Sequence, residues 1–338
     1  MTALPPTPVR KPRIALLATG GTIAGAAASA TSTSAYTSAV TGVEALLEAV
    51  PQIADVAAVH GEQVLQIGSE SFDNARLLTL ARRVAAVAAS PDVDGIVITH
   101  GTDTMEETAY FLHLTIPTAK PIVLTGAMRP GTALSADGPL NLLDAVTVAA
   151  HAGSAGKGVL LVMDQQVHSG RDVAKTHASR TDAFRSEYGP LGTVVDGRVR
   201  FYRLPARPHT TTSEFDIARI GTLPEVGIVY AHGNTSPAPY EALVAAGVRA
   251  IVHLGFGGGT VPDYLEATLA AVQARGVTVV RATRTAGGAV SRNGAVDDDA
   301  LGSVAADDQN GVKARLLAAL ALSQGCDAGA MQQVFWRY

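Results

Sequence analysis

Two stretches of the sequence set threonine hydroxyls among glycines, Ala18-Thr-Gly-Gly-Thr-Ile-Ala24 and Thr99-His-Gly-Thr-Asp-Thr-Met-Glu-Glu107. Glycine lets the backbone turn tightly and bring its N–H groups up to a ligand. A threonine hydroxyl beside such donors offers a nucleophile and a stabiliser for the oxyanion of acyl transfer. Unassisted, threonine is a weak nucleophile and needs a base or a nearby cation. Asp103 and Lys175, the latter from the polar loop Gly170-Arg-Asp-Val-Ala-Lys-Thr176, are the candidates. Plainer roles compete at each position. Thr104 and Glu107 spell a Thr-x-x-Glu capping box, so Glu107 is assigned to the start of a helix. Thr102 alone fits a turn, the Gly20-Gly21 pair a tight turn, and Lys175 a solvated loop. Only the combination points to catalysis.

For such groups to meet, they must sit at the ends of strands in one sheet. From Ile14 the chain alternates short apolar runs with segments of helical period, the pattern of βα units around a parallel sheet. Strands are expected at Ile14 to Thr19, Ile96 to Thr99, Ile122 to Thr125 and Val159 to Met163. Helices are expected around Leu77, Leu78, Ala81, Val84 and Val87, from Glu106 to Ile116 and from Leu140 to Ala150. Ala26 to Ser38, rich in Ala, Ser and Thr, reads as a mobile loop. Between Val194 and Phe201, Asp196-Gly197 splits two β-rich runs into a hairpin. The chain thus divides into a larger N-terminal α/β domain (residues 1–205), a proline- and threonine-rich linker (206–223) and a smaller C-terminal α/β domain (224–338). In the latter, strands are expected at Val226 to Tyr230, Ala250 to Leu254 and Val277 to Arg281. Helices follow at Tyr264 to Ala274 and Val312 to Leu322, and the aromatic end, Phe335-Trp-Arg-Tyr338, fits a docked C-terminal helix. Thr102 and Lys175 would both lie just beyond strands of one sheet.

Composition narrows the class. The chain has 338 residues, 47% apolar and 17% charged, enough to bury a sizeable core. Its net charge of −4, without any Lys/Arg-rich run, leaves no electrostatic footprint for nucleic acid or an anionic membrane, so small molecules are the expected partners. A single cysteine, Cys326, excludes an internal disulfide, a thiolate metal site and a CxxC pair. No run of eighteen apolar residues suggests a membrane span. Met1 to Arg13, with four prolines, lacks the apolar core of a secretory signal, and a cytoplasmic location is expected.

At this level of detail the text resembles a known family. Ala18 to Ala24, and Ile98-Thr-His-Gly-Thr-Asp-Thr-Met-Glu-Glu-Thr-Ala-Tyr-Phe-Leu112, are similar to the two signatures of bacterial-type L-asparaginases and glutaminase-asparaginases. Gly126-Ala-Met-Arg-Pro130, Ser135-Ala-Asp-Gly-Pro139, Gly170-Arg-Asp-Val173, Tyr188-Gly-Pro-Leu-Gly192 and Val226-Gly-Ile-Val-Tyr230 extend the likeness from Ile14 to the C-terminus. The resemblance implies hydrolysis of the L-asparagine side-chain amide to L-aspartate and ammonia, with neither metal nor cofactor. It implies Thr22 as nucleophile and Tyr36 as the residue that orients it when the loop 26–38 closes as a lid. Thr102, Asp103 and Lys175 match a second polar triad, in which Thr102 relays a proton and Lys175 favours its deprotonated form. Ser69 and Glu70 match the pair holding the substrate's α-carboxylate and α-amino group, with Asp103 sharing the amino contact. Ala127 matches a backbone carbonyl that accepts from the leaving amide. A homotetramer, built as a dimer of dimers, is likewise implied by the resemblance.

Three positions depart from the family text. Glu70 stands where many asparagine-preferring members carry glutamine, a change found in members that also accept glutamine. Gly258 and Ala295 replace polar residues that line a neighbouring subunit's site in several relatives. The acids Asp297 to Asp299 beside Ala295 read as a solvated run. Other readings are weaker. A dual glutaminase-asparaginase keeps the same chemistry. A nucleotide site at Gly255-Phe-Gly-Gly-Gly259 has poor glycine spacing and no acidic ribose contact, since the following strand leads to Arg281. A non-catalytic amino-acid sensor would keep Ser69, Glu70 and Asp103 and lose Thr22, Tyr36 or Lys175, all of which are present.

Overall fold

Apolar residues in unbroken succession from Ile14 onward form the strand β1 (Arg13–Gly20), of which all but the first residue are buried. A strand covered on both faces has no polar side to show, and its text is continuous for that reason. The structure, a computed structural model, describes residues 10–338; residues 1–9 of the proline-rich start, on which the expectation about a secretory signal rests, lie outside the described residues. After β1 come the short helices α1 (Val43–Glu48) and α2 (Ile53–Val56), then β2 (Ala58–Ile67), α3 (Asn74–Ala89), β3 (Gly95–Thr99), α4 (Met105–Thr115), β4 (Ile122–Thr125), α5 (Gly138–Ala150) and β5 (Val159–Met163). Helix α3 buries the five residues of its helical period, and the Asp73 carboxylate caps it by accepting from the Arg76 N–H at 2.7 Å. Five further strands follow: β6 (Gln166–Ser169), β7 (Val173–Lys175), β8 (Phe184–Ser186), β9 (Gly192–Val195) and β10 (Arg198–Phe201).

Eight of these strands form one sheet in the order β10-β9-β6-β5-β4-β3-β1-β2. It is parallel from β5 to β2, and antiparallel where β6, β9 and β10 continue it. The order reverses at β1, because the chain runs outward from β1 to β2 and returns to β3 on the other side. Open α/β sheets bind ligands at the carboxyl ends of the strands flanking such a reversal. Ala18 lies opposite Thr99 there, and the β1–β2 register shifts between Ala18, opposite Gln63, and Gly20, opposite Ile67. Asp196 and Gly197 turn the β9–β10 hairpin at φ 49° and 71°, the conformation expected of an Asp-Gly pair.

Several features differ from the sequence reading, each for a local reason. Strand β2 was not anticipated: it is the sheet edge, and His60, Glu62, Gln63 and Gln66 break any apolar pattern. The polar loop at 170–176 contains β7, which pairs with β8 in a two-stranded ribbon apart from the main sheet, so Lys175 is not carried by a main-sheet strand end. Thr104 holds the position before α4 but makes no capping bond with its side chain; its hydroxyl donates instead to the Ser69 carbonyl at 2.9 Å.

The chain divides into two compact units, one running to Ala206 with Thr210–Thr212, the other comprising Arg207–His209 and Ser213–Tyr338. In the second, β11 (Val226–Tyr230), α6 (Ala238–Ala245), β12 (Ala250–Gly255), α7 (Asp263–Ala274), β13 (Thr278–Thr283), α8 (Asp298–Leu301), β14 (Val304–Ala305), α9 (Gly311–Ser323) and α10 (Ala328–Arg337) build a parallel sheet in the order β11-β12-β13-β14. Phe215 and Ile217, from the proline- and threonine-rich stretch, are buried, and the Phe215 ring lies 5.3 Å from that of Tyr338. The acidic run is solvated only at its ends, where Asp297 and Asp299 are exposed; its middle residue departs from the expectation. Asp298 is fully buried and pairs with Arg281, also fully buried, while Asp297 caps α8 through the Ala300 N–H and Asp299 pairs with Arg292. Among the described residues no helix is long and apolar enough to cross a membrane.

Candidate active site

Three turns leave the carboxyl ends of β1, β2 and β3, and glycines let them touch. At Gly21, with φ 79°, a Cβ would collide with the Gly101 backbone, so the first threonine turn lies directly on the second. A Cβ on Gly101 would fall 2.7 Å from Ser69 Oγ, which brings the turn after β2 against the same point. The hydroxyl-rich text therefore marks backbone contact as much as chemistry.

The side chains carried by these turns converge. Thr22 and Thr102 are both buried. Thr22 Oγ1 lies 2.7 Å from Tyr36 Oη, and Tyr36 is brought over it by a strand-like closure of its loop, where Ala26 and Thr37 exchange backbone hydrogen bonds of 3.0 and 2.9 Å. Lys175 Nζ donates to Thr102 Oγ1 at 2.9 Å and to Asp103 Oδ1 at 2.6 Å. The Ser69 hydroxyl accepts from the Asp103 N–H at 3.0 Å. Ser69 is buried and Glu70 is exposed beside it. Ala127 is buried after β4, and the next two backbone N–H groups, of Met128 and Arg129, donate to the Asp137 carboxylate at 2.9 Å each. The candidate catalytic and substrate-binding residues thus all belong to the first unit: Lys175 ends β7, and the others lie in the segments that follow β1, β2, β3 and β4.

Two residues near these turns were missed. Glu106 is buried and accepts the Lys175 backbone N–H, fixing the ribbon that carries the amine. No sequence signal separated it from Glu107, since both acids have apolar residues three and four positions on; in the structure every residue of α4 but Glu107 is buried. His100 is completely buried between β3 and Gly101, and burial pushes its ring down to about 4 despite a hydrogen bond to the Gly101 carbonyl. Among the described residues no three His, Cys, Asp or Glu side chains gather as a metal ion would require.

A lysine-bridged hydroxyl and a tyrosine-bridged hydroxyl, on abutting glycine turns at the reversal point of a parallel sheet, are equipment for acyl transfer at a polar carbonyl. Together the fold and the site define an α/β amidohydrolase. Residues 13–207 match the family described as asparaginase, N-terminal, and residues 225–335 match the glutaminase/asparaginase C-terminal domain. The chain belongs to the asparaginase family. It is 50% identical to a glutaminase-asparaginase of Pseudomonas fluorescens biotype A, over 98% of this chain and 92% of that one. It is 48% identical to L-asparaginase 2 of Escherichia coli K12, over 97% and 93% respectively. A crystal structure of a probable cytoplasmic L-asparaginase from Campylobacter jejuni superimposes with a TM-score of 0.94 at 42% identity, covering 97% of this chain and all of that one.

Proposed function

We infer that this protein hydrolyses the side-chain amide of L-asparagine to L-aspartate and ammonia, with Thr22 as nucleophile. The contact of Gly21 with Gly101 carries the reading, since it sets the Tyr36-bound hydroxyl of Thr22 beside the turn of the lysine-bound hydroxyl of Thr102. Thr22 Oγ bonds to the amide carbon, and its proton is relayed through Thr102, whose hydroxyl Lys175 holds ready to lose its own proton. The amide nitrogen takes up that proton, the C–N bond breaks and ammonia leaves past the Ala127 carbonyl. Water then attacks the acyl-threonine, returns a proton to Thr22 Oγ and releases aspartate. Glu70 and Asp103 meet the substrate ammonium and Ser69 its carboxylate, an arrangement suited to a zwitterion. No step draws on a metal or cofactor.

Glutamine is a second substrate in this reading. The carboxylate at position 70 and the relatives named glutaminase-asparaginase favour it. The proposal includes a homotetramer, asparagine catabolism, and a cytoplasmic location that cell fractionation would test. Ammonia release from L-asparagine and L-glutamine, measured side by side, tests the activity. Thr22→Ala and Thr102→Ala should each reduce kcat by about a thousandfold or more, with unchanged circular dichroism. Wild-type rates in either variant would overturn the role given to that residue, and no release from either amino acid would leave the sensor reading.

A further inference from the structure

His100 is a fully buried titratable group for which the scheme above has no use. Its Nδ1 lies 2.7 Å from the Gly101 carbonyl oxygen, which can only accept, so Nδ1 carries the proton. Its Nε2 lies 3.0 Å from the Thr108 hydroxyl on α4. With Nδ1 protonated and the ring neutral, Nε2 is an acceptor and Thr108 must donate. The ring centroid is 4.5 Å from that of Phe72, just past the Ser69–Glu70 turn. The Gly101 carbonyl thereby selects the tautomer, and Thr108 and Phe72 help hold the ring's orientation.

The bond has a consequence at the next residue. In a trans peptide the carbonyl and the following N–H point in opposite directions. Tying the Gly101 carbonyl to the His100 ring therefore turns the Thr102 N–H away from that ring, and among the described residues this N–H has no acceptor. It belongs to the residue whose hydroxyl meets Lys175, on the turn that abuts Gly21. We propose that His100 is a positioning residue: through the Gly101–Thr102 peptide it fixes the Thr102 N–H as a donor to the oxyanion formed when the amide carbonyl is attacked. This rests on the hydrolytic reading of the site.

A donor that acts on developing charge affects kcat rather than KM, and losing one outright typically costs 10²–10³ in kcat. His100→Leu should lower kcat about tenfold or more, with KM within about twofold of wild type. His100→Asn places an amide N–H where the imidazole Nδ1–H lay and should recover most of that loss. In protein labelled with 15N-histidine, the resonance absent from His100→Asn should report a protonated Nδ1 and a bare Nε2 at pH 7. Thr108→Val removes the hydroxyl from Nε2 but leaves the Gly101 carbonyl accepting from Nδ1–H, so the tautomer should persist and kcat should fall far less than in His100→Leu. An Nε2–H tautomer in the wild type, equal impairment of the Asn and Leu variants, or a loss confined to KM would overturn the proposal. If His100→Leu does not fold, the Asn and Val variants and the spectrum decide. If the wild type releases no ammonia the hydrolytic reading fails, and with it the oxyanion role, whereas the spectrum still reports whether the peptide is pinned.

Discussion

Lys175 is held between two oxygens, Thr102 Oγ1 and Asp103 Oδ1, and its own backbone is held by Glu106. In the proposed mechanism, an ammonium placed there would stabilise an alkoxide on Thr102 and keep the relay directional. Lys175→Met should therefore lower kcat by about 10²–10⁴ with little change in KM. Lys175→Arg should not rescue it, because a planar fork cannot replace a compact three-donor head at 2.6 and 2.9 Å. Rescue by arginine would show that charge alone suffices. Asp144 in α5 presents a different case. It is 4% exposed, its Oδ2 has no partner among the described residues, and burial raises its carboxyl to about 7. A raised acid is tolerated while protonated. Its cost starts near the ordinary value of 3.8, grows as pH rises and levels off above about 7, reaching at most about 4 kcal/mol. Asp144→Asn should accordingly gain on the wild type between pH 5 and pH 8, by about 2 kcal/mol in urea unfolding. A difference between the two proteins that stays constant with pH would refute this.

At the scale of elements, the buried Arg281–Asp298 pair ties three loops of the second unit to β13. Arg281 also donates to the carbonyls of Gly259 and Ser291, and Asp298 accepts from the Asn293 N–H and from Ser303. Burial alone would push Asp298 up; hydrogen bonds from Arg281, Ser303 and Asn293 outweigh it and hold the carboxyl below its usual range. The sign is thus opposite to that of Asp144: stability is present above the unfolded carboxyl value and is lost as pH falls through the lower folded one. Asp298→Ala leaves a bare buried guanidinium and should cost about 3–5 kcal/mol, whereas Arg281→Met with Asp298→Leu should cost far less. Equal losses, read from denaturation midpoints, would mean that the hydrogen-bonded loops matter more than the stranded charge. Legibility in the sequence followed burial. Strands β3, β4 and β5, buried throughout, stood out as apolar runs, and the hairpin was marked by Asp196-Gly197. Edge strand β2 and the ribbon β7–β8 were hidden because exposed strands carry mixed text. Asp298 misled because a triplet of like charges gives no hint of its partner Arg281, seventeen residues upstream in β13. Thr22, Thr102 and Lys175 could be nominated from residue type, but that Gly21 lies on Gly101 is a fact of three-dimensional contact.

For the whole molecule, the family relationship runs nearly from end to end, so assembly can be considered for the complete chain. The described surface includes exposed Leu134 and Leu140 on the first unit and Tyr230, Tyr264 and Trp336 on the second. Single exposed apolar residues are ordinary on monomers, so these alone do not establish an interface. Gly258 and Ala295 bear on the question from another direction. A Cβ on Gly258 would meet nothing within 4 Å, which means that no packing inside the unit requires glycine there. If a neighbouring copy approaches this loop, the small residues shape that neighbour's site, and activity should depend on association. Light scattering coupled to gel filtration should then give four times the 34.6 kDa of the chain. Specific activity should also fall on dilution to concentrations at which the assembly dissociates, because mass action removes the copy that completes each site. A monomer that retains full specific activity at every dilution would mean that one chain carries a complete site by itself.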